Sequence, residues 1–146
     1  MIEYKHILVG LDLTSESGEV VQKALLMKRA LKAKVSIVHV VEPLSIAYGG
    51  DIPMDISNIQ DQIHETAAKH LGEFSRFLDI ERSDQHLIFG RPESEIHALA
   101  ISIGADLIVI GSHGRHGLAL LLGSTANGVL HGAPCDVLAI RVGKNE

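Results

Sequence analysis

The sequence predicts an α/β fold: a five-stranded parallel sheet, doubly wound, with strand order 3-2-1-4-5. Three observations carry that expectation. Short, almost wholly apolar runs such as Ile7-Leu8-Val9-Gly10-Leu11 lack the in-out alternation of a half-exposed strand, so they read as strands covered on both faces. Between them lie segments with apolar residues at helical spacing. The resulting alternation, β-α-β-α-β-α-β-α-β, requires right-handed crossovers and places helices on both faces of the sheet.

The elements follow in order. After Ile7–Leu11, the stretch Asp12-Leu13-Thr14-Ser15-Glu16-Ser17 is rich in helix-capping types. Val20, Val21, Ala24, Leu25, Met27 and Leu31 then mark a helix closed by the positive Lys32-Ala33-Lys34, which suits its negative dipole end. Val35 to Val41 is a β-branched second strand. A long irregular stretch runs from Glu42 to about Asp55, holding Pro43, Gly49, Gly50 and Pro53; loops of that length are often functional. Apolar residues from Ile56 to Leu78 recur as in a long amphipathic helix, and Gln85–Phe89 is a third, weaker strand. Pro92 fits a first helical turn, with Glu93 and Glu95 where the dipole favours anions and Gly104 at the far end. Asp106–Ile110 is a fourth strand, Gly111 to about Gly123 a glycine-rich loop, Ser124–His131 a short helix stopped by Gly132 and Pro134, and Val137–Ile140 a fifth strand.

Composition bounds the function. The 146 residues fit one domain, 1–146, and that length buries about two-thirds of the unfolded surface without staples. A formal net charge of −5 argues against a general nucleic-acid binder, which needs a basic face for phosphates. It leaves room for one small anion, because backbone N–H groups bind phosphate without lysine or arginine. Cys135 is the only cysteine, so no intrachain disulfide or thiolate zinc cage forms. The opening residues do not read as a signal peptide, and the longest apolar runs fall far short of the ~20 residues that span a bilayer. The expectation is a cytoplasmic protein.

Ligands of such sheets bind beyond the carboxyl ends of the strands, where strand order reverses. In the order 3-2-1-4-5 that point lies between strands 1 and 4, so Gly10-Leu11-Asp12 and the segment from Gly111 to Ser124 face each other across it. Gly111-Ser112-His113-Gly114-Arg115-His116-Gly117 holds three glycines in seven residues, which lets backbone approach a ligand closely. Gly123-Ser124-Thr125 opens a helix, where free N–H groups and two hydroxyls suit an anion, and Arg115 and His116 could add charge. The alternative is structural: glycines shape a tight loop and Ser124 caps a helix.

Taken together, several segments resemble the universal stress protein family. They are Tyr4-Lys5-His6-Ile7-Leu8-Val9-Gly10-Leu11-Asp12, Val38-His39-Val40, Ala105 through Gly114, Gly123 through Leu130, and Ala133 through Leu138. The resemblance covers essentially the whole chain. It implies a Rossmann-like fold of the adenine nucleotide alpha hydrolase type, and a family with two branches. One binds ATP and carries the pattern G-x2-G-x9-G-[S/T]; the other lacks it. Here Gly111, Gly114, Gly123 and Ser124 follow the pattern with eight residues, not nine, between Gly114 and Gly123. By that resemblance Asp12, with Gly10 and Leu11, would contact adenosine and Val40 would line the adenine pocket. Ile110 and Gly111 would flank base and ribose. His113, Gly114, Arg115, Gly123, Ser124 and Thr125 would hold ribose and phosphates. The implied ligand is ATP, with AMP and ADP as the other candidates and Mg2+ accompanying ATP. The resemblance also implies a homodimer through the last strand, whose open edge is a physical reason to pair.

Other readings compete. Asp12-Leu13-Thr14 resembles half of a phosphatase D-x-D-x-T motif, but Gly10 stands at the nucleophile position. Strand 3 ends at Phe89-Gly90, without the aspartate of a response-regulator receiver. His113, His116 and His131 read as loop and helix surface groups, or phosphate contacts, rather than metal ligands, His39 as a hydrogen-bonded core histidine, and Cys135 as inert. No Walker lysine or hydrolase elbow is present. The functional expectation is a nucleotide-binding stress-response protein. The alternatives are a dimeric interaction module without nucleotide, and a slow ATPase.

Overall fold

The computed structural model describes residues 3–43, 54–113 and 124–143. Five strands, β1 His6–Gly10, β2 Lys34–Val41, β3 Gln85–Phe89, β4 Leu107–His113 and β5 Asp136–Val142, form one sheet in the order β3-β2-β1-β4-β5. Every pairing is parallel. The helices are α1 Ser17–Leu31, α2 Met54–Leu78, α3 Pro92–Ile103 and α4 Ser124–Leu130, with a 3-10 turn at Arg82–Asp84 before β3.

Alternate residues of the same strands serve two separate cores. Ile7, Val9, Ile37 and Val109 pack with Val20, Val21 and Ala24 of α1 and Leu71 and Leu78 of α2. Leu8, Val38, Ile108 and Ile110 pack with Ile96 and Ala100 of α3 and Ala126 and Val129 of α4. Both faces of the central strands are therefore buried, which is why their sequences are continuous apolar runs rather than alternating ones.

Most boundaries follow the sequence reading, with physical reasons where they do not. Strand β4 runs on past Ile110, because Gly111, Ser112 and His113 pair with Ile140, Arg141 and Val142 of a correspondingly longer β5. Lys34 opens β2 rather than closing α1; α1 ends at Leu31 and is capped by Lys32, which is left-handed at φ 53° and donates its N–H to the Lys28 carbonyl. Pro92 opens α3 and Gly104 closes it in the left-handed region at φ 71°, both as expected. At the opposite end of the sheet from the strand tips, His6 Nδ1–H donates to the Ile103 carbonyl (3.1 Å), His6 Nε2 shares a hydrogen bond with Ser36 Oγ (2.8 Å), and Ser36 Oγ donates to Asp84 Oδ1 (3.0 Å). This chain ties β1, β2 and α3 to the turn before β3 and satisfies the fully buried Ser36.

Candidate functional site

Strand β1 pairs with β2 on one side and β4 on the other. Their crossovers leave in opposite directions, so the helices diverge above the carboxyl ends and leave a crevice there. The crevice is open, with a volume of about 220 Å³. Seven of the expected residues line it: Gly10 at the end of β1, Leu11 and Asp12 just beyond it, Val40 on β2, Ile110 and Gly111 on β4, and Thr125 on α4. His113 ends β4 and Ser124 begins α4. Gly114, Arg115 and Gly123 lie outside the described residues, as does most of the stretch expected to be irregular between Glu42 and Asp55.

The walls are mainly apolar, with Leu11, Val40 and Ile110 almost fully buried behind the opening. Polar groups gather at the β1–α1 side. There Asp12 Oδ1 accepts from the Thr14 backbone N–H (3.0 Å), Thr14 Oγ1 (2.8 Å) and Ser17 Oγ (2.9 Å). The two-residue reach to Thr14 N is an Asx turn. It accompanies Leu13 in the left-handed region, φ 58°, which a branched side chain rarely enters. The capping-rich sequence thus works from Asp12, not from the helix cap itself, since the cap residue Glu16 makes no side-chain cap bond.

Glycine allows a close approach where the strands meet. A Cβ at Gly10 would stand 3.2 Å from Ile96 Cδ1 and 3.3 Å from Ile110 Cγ2, and one at Gly111 would stand 3.1 Å from Val20 Cγ2. Without those side chains β1 and β4 can close the floor of the crevice while its mouth stays open. The sequence reading missed Val20, Ile96 and Ala126, which face the crevice from α1, α3 and α4. Helical periodicity marked Val20 and Ile96 as buried but could not say that the stripe ends at a ligand-sized gap. Glu16, Ser17 and His39 were missed as well. The histidine is hydrogen-bonded, as expected, with Nδ1 2.7 Å from the Leu11 carbonyl, but half-buried at the crevice rather than deep in the core.

Comparison with known proteins bears on what such a crevice takes. The profile of the Universal stress protein family matches residues 3–141. "Universal stress protein A homolog 2" of Coxiella burnetii is 42% identical over 146 residues, covering 97% of this chain and 98% of the relative. "Universal stress protein A homolog 1" of the same organism is 40% identical over 140 residues, covering 95% and 97%. A solved structure of a universal stress protein in complex with cAMP is 25% identical, superposes with a TM-score of 0.64, and is covered over 98% of its chain by 96% of this one.

Proposed function

This chain belongs to the universal stress protein family, and we propose that it binds an adenine nucleotide in the crevice between β1 and β4 and acts through it in stress response. The observation that carries this reading is the crevice itself, open at the point of strand reversal and walled by the residues expected to hold adenosine. The cAMP-bound relative supports the class of ligand.

The crevice has the chemistry for a purine. Val40, Leu11 and Ile110 supply apolar surface for a flat base, and Asp12 lies exposed at the rim where ribose hydroxyls need acceptors. Pockets that bury a whole ligand typically measure roughly 300–1,000 Å³. At about 220 Å³ the enclosed part suits base and ribose, with phosphates outside it. In this reading Gly111 flanks the ribose, the phosphates meet His113, Gly114, Arg115, Gly123, Ser124 and Thr125, and ATP brings its own Mg2+. We further propose that the protein is cytoplasmic and pairs as a homodimer along β5. No described helix is long and apolar enough to cross a membrane.

Isothermal calorimetry of the purified protein with AMP, ADP, ATP–Mg2+, cAMP and GTP tests the reading. The expected result is one site per chain for at least one adenine nucleotide, and weaker binding of GTP. Absence of heat for all four adenine compounds, with the protein shown to be folded, removes it.

A further inference from the structure

The nucleotide reading leaves open what holds the β1–α1 turn in place, and the hydrogen bonds at Leu11 answer it. Leu11 is the first residue beyond β1. Its N–H donates to the Val38 carbonyl at 2.9 Å, and its carbonyl accepts from His39 Nδ1–H at 2.7 Å. Successive residues of β2 thus grip both polar groups of one residue, one through backbone and one through a side chain. The carbonyl of Leu11 belongs to the same peptide plane as the N–H of Asp12. The imidazole bond therefore sets the plane from which Asp12 departs. The next residue, Leu13, turns into the left-handed region, and the Asp12 carboxylate then gathers Thr14 and Ser17. A strand that otherwise buries Ile37, Val38, Val40 and Val41 would gain from an apolar residue at 39. A half-buried ring is tolerated there because its N–H is satisfied.

We infer that His39 is a positioning residue of the nucleotide crevice: its Nδ1–H fixes the Leu11–Asp12 peptide and so places Asp12 at the rim. The inference rests on the nucleotide reading. A carbonyl only accepts, so the neutral ring carries its proton on Nδ1 and leaves Nε2 bare. His39, whose ring also lines the crevice, acts on Asp12 through the turn.

Three substitutions separate these roles, because an asparagine amide nitrogen stands near the place of Nδ1 and a glutamine amide reaches that of Nε2. Affinity for AMP, ATP–Mg2+ and cAMP is measured by calorimetry, and the ligand-free melting temperature of each variant alongside. His39→Asn is expected to stay within about threefold of the native affinity. His39→Leu and His39→Gln should lose about 10- to 100-fold, the range expected when a buried hydrogen bond is left half-made. Nitrogen-15 spectra of the native protein should show His39 protonated on Nδ1 and bare on Nε2. Should His39→Leu prove unfolded, the asparagine and glutamine pair and the tautomer still decide. Native affinity in His39→Gln with loss in His39→Asn, unchanged affinity in His39→Leu, or the opposite tautomer overturns the inference while leaving the nucleotide site standing. A folded native protein that binds none of the three ligands overturns both.

Discussion

Gly111 is the residue at which the sheet, the first helix and the crevice meet. A Cβ there would lie 3.1 Å from Val20 Cγ2 and 3.6 Å from Val142 Cγ1, both buried on the α1 face. Gly111→Val therefore pushes α1 away from β4 or fills the crevice. It is expected to cost about 1–3 kcal/mol of stability through overpacking and to abolish AMP binding. Urea denaturation and calorimetry read the two effects separately. The need for glycine here was visible in the sequence as part of a pattern; the neighbour that enforces it, Val20, was not, because it comes from an element some ninety residues earlier. Cys135 shows the converse case, a residue whose role could be read from what is missing around it. Burial first, then Asp106 and Asp136, push its thiol up from the ordinary value. Little thiolate is present near neutral pH, so iodoacetamide should alkylate Cys135 more slowly in the native protein than in the urea-unfolded chain.

Elements are placed by contacts of the same kind. Helix α4 docks on α3 with no room to spare: a Cβ at Gly128 would meet Glu93 Cβ at 2.9 Å and Cγ at 3.1 Å, and His97 Nε2–H donates to the Val129 carbonyl at 2.7 Å. Alanine favours a helix over glycine by about 1 kcal/mol, but the clash is with packed carbon atoms next to backbone. Gly128→Ala should therefore be net destabilising by about 1–2 kcal/mol. Among the described residues Gly72, within α2, has only Arg76 Nη1 nearby, 3.9 Å from a Cβ. Gly72→Ala should accordingly stabilise by about 0.5–1 kcal/mol. Opposite signs for the same substitution in two helices, measured by urea denaturation, test the packing directly. From sequence both glycines look alike. Helical periodicity identifies α3 and α4 but not the distance between them. The end of β4 was hidden for a related reason: Gly111 reads as a strand breaker, yet the register with β5 carries the strand through it to His113.

Over the whole molecule, topology was the most legible property, because each strand's apolar run and each helix's stripe point to the same layered answer. That order alone located the crevice beside Asp12 and Gly111. The polar wiring was less legible, since it depends on which ends of distant strands meet, and it sets the response to pH. Burial lowers His86 from its ordinary 6.5, outweighing the upward pull of Asp84, and His6 lowers it further; its Nε2 is buried and without a partner among the described residues. An unfolded chain takes up that proton near 6.5 and the folded one only at lower pH, so stability is complete above that value and falls as the pH drops below it. Asp106 acts in the same direction further down. Burial opposes its ionisation, but the N–H groups of Lys5 and His6 overcome it and hold the carboxyl below 3.8. Its contribution is lost as pH falls through the folded value. Urea unfolding from pH 7 to 5 should show declining stability, and His86→Gln should flatten that decline. Association belongs to the same scale. The sheet has two outer strands, β3 and β5. On β3 the His64 ring of α2 stacks on Phe89 with centroids 5.4 Å apart, and Phe89 stays 40% exposed. Strand β5 is seven residues long against five, and holds Leu138, 40% exposed. An edge of that length presents unpaired backbone groups and an apolar side chain together, which favours pairing with a second copy. Light scattering after size exclusion should therefore give the mass of two chains. Leu138→Lys, which places a charge in the middle of that edge, should shift the protein toward one chain without lowering its melting temperature by more than a few degrees. A variant that remains dimeric would move the interface off β5.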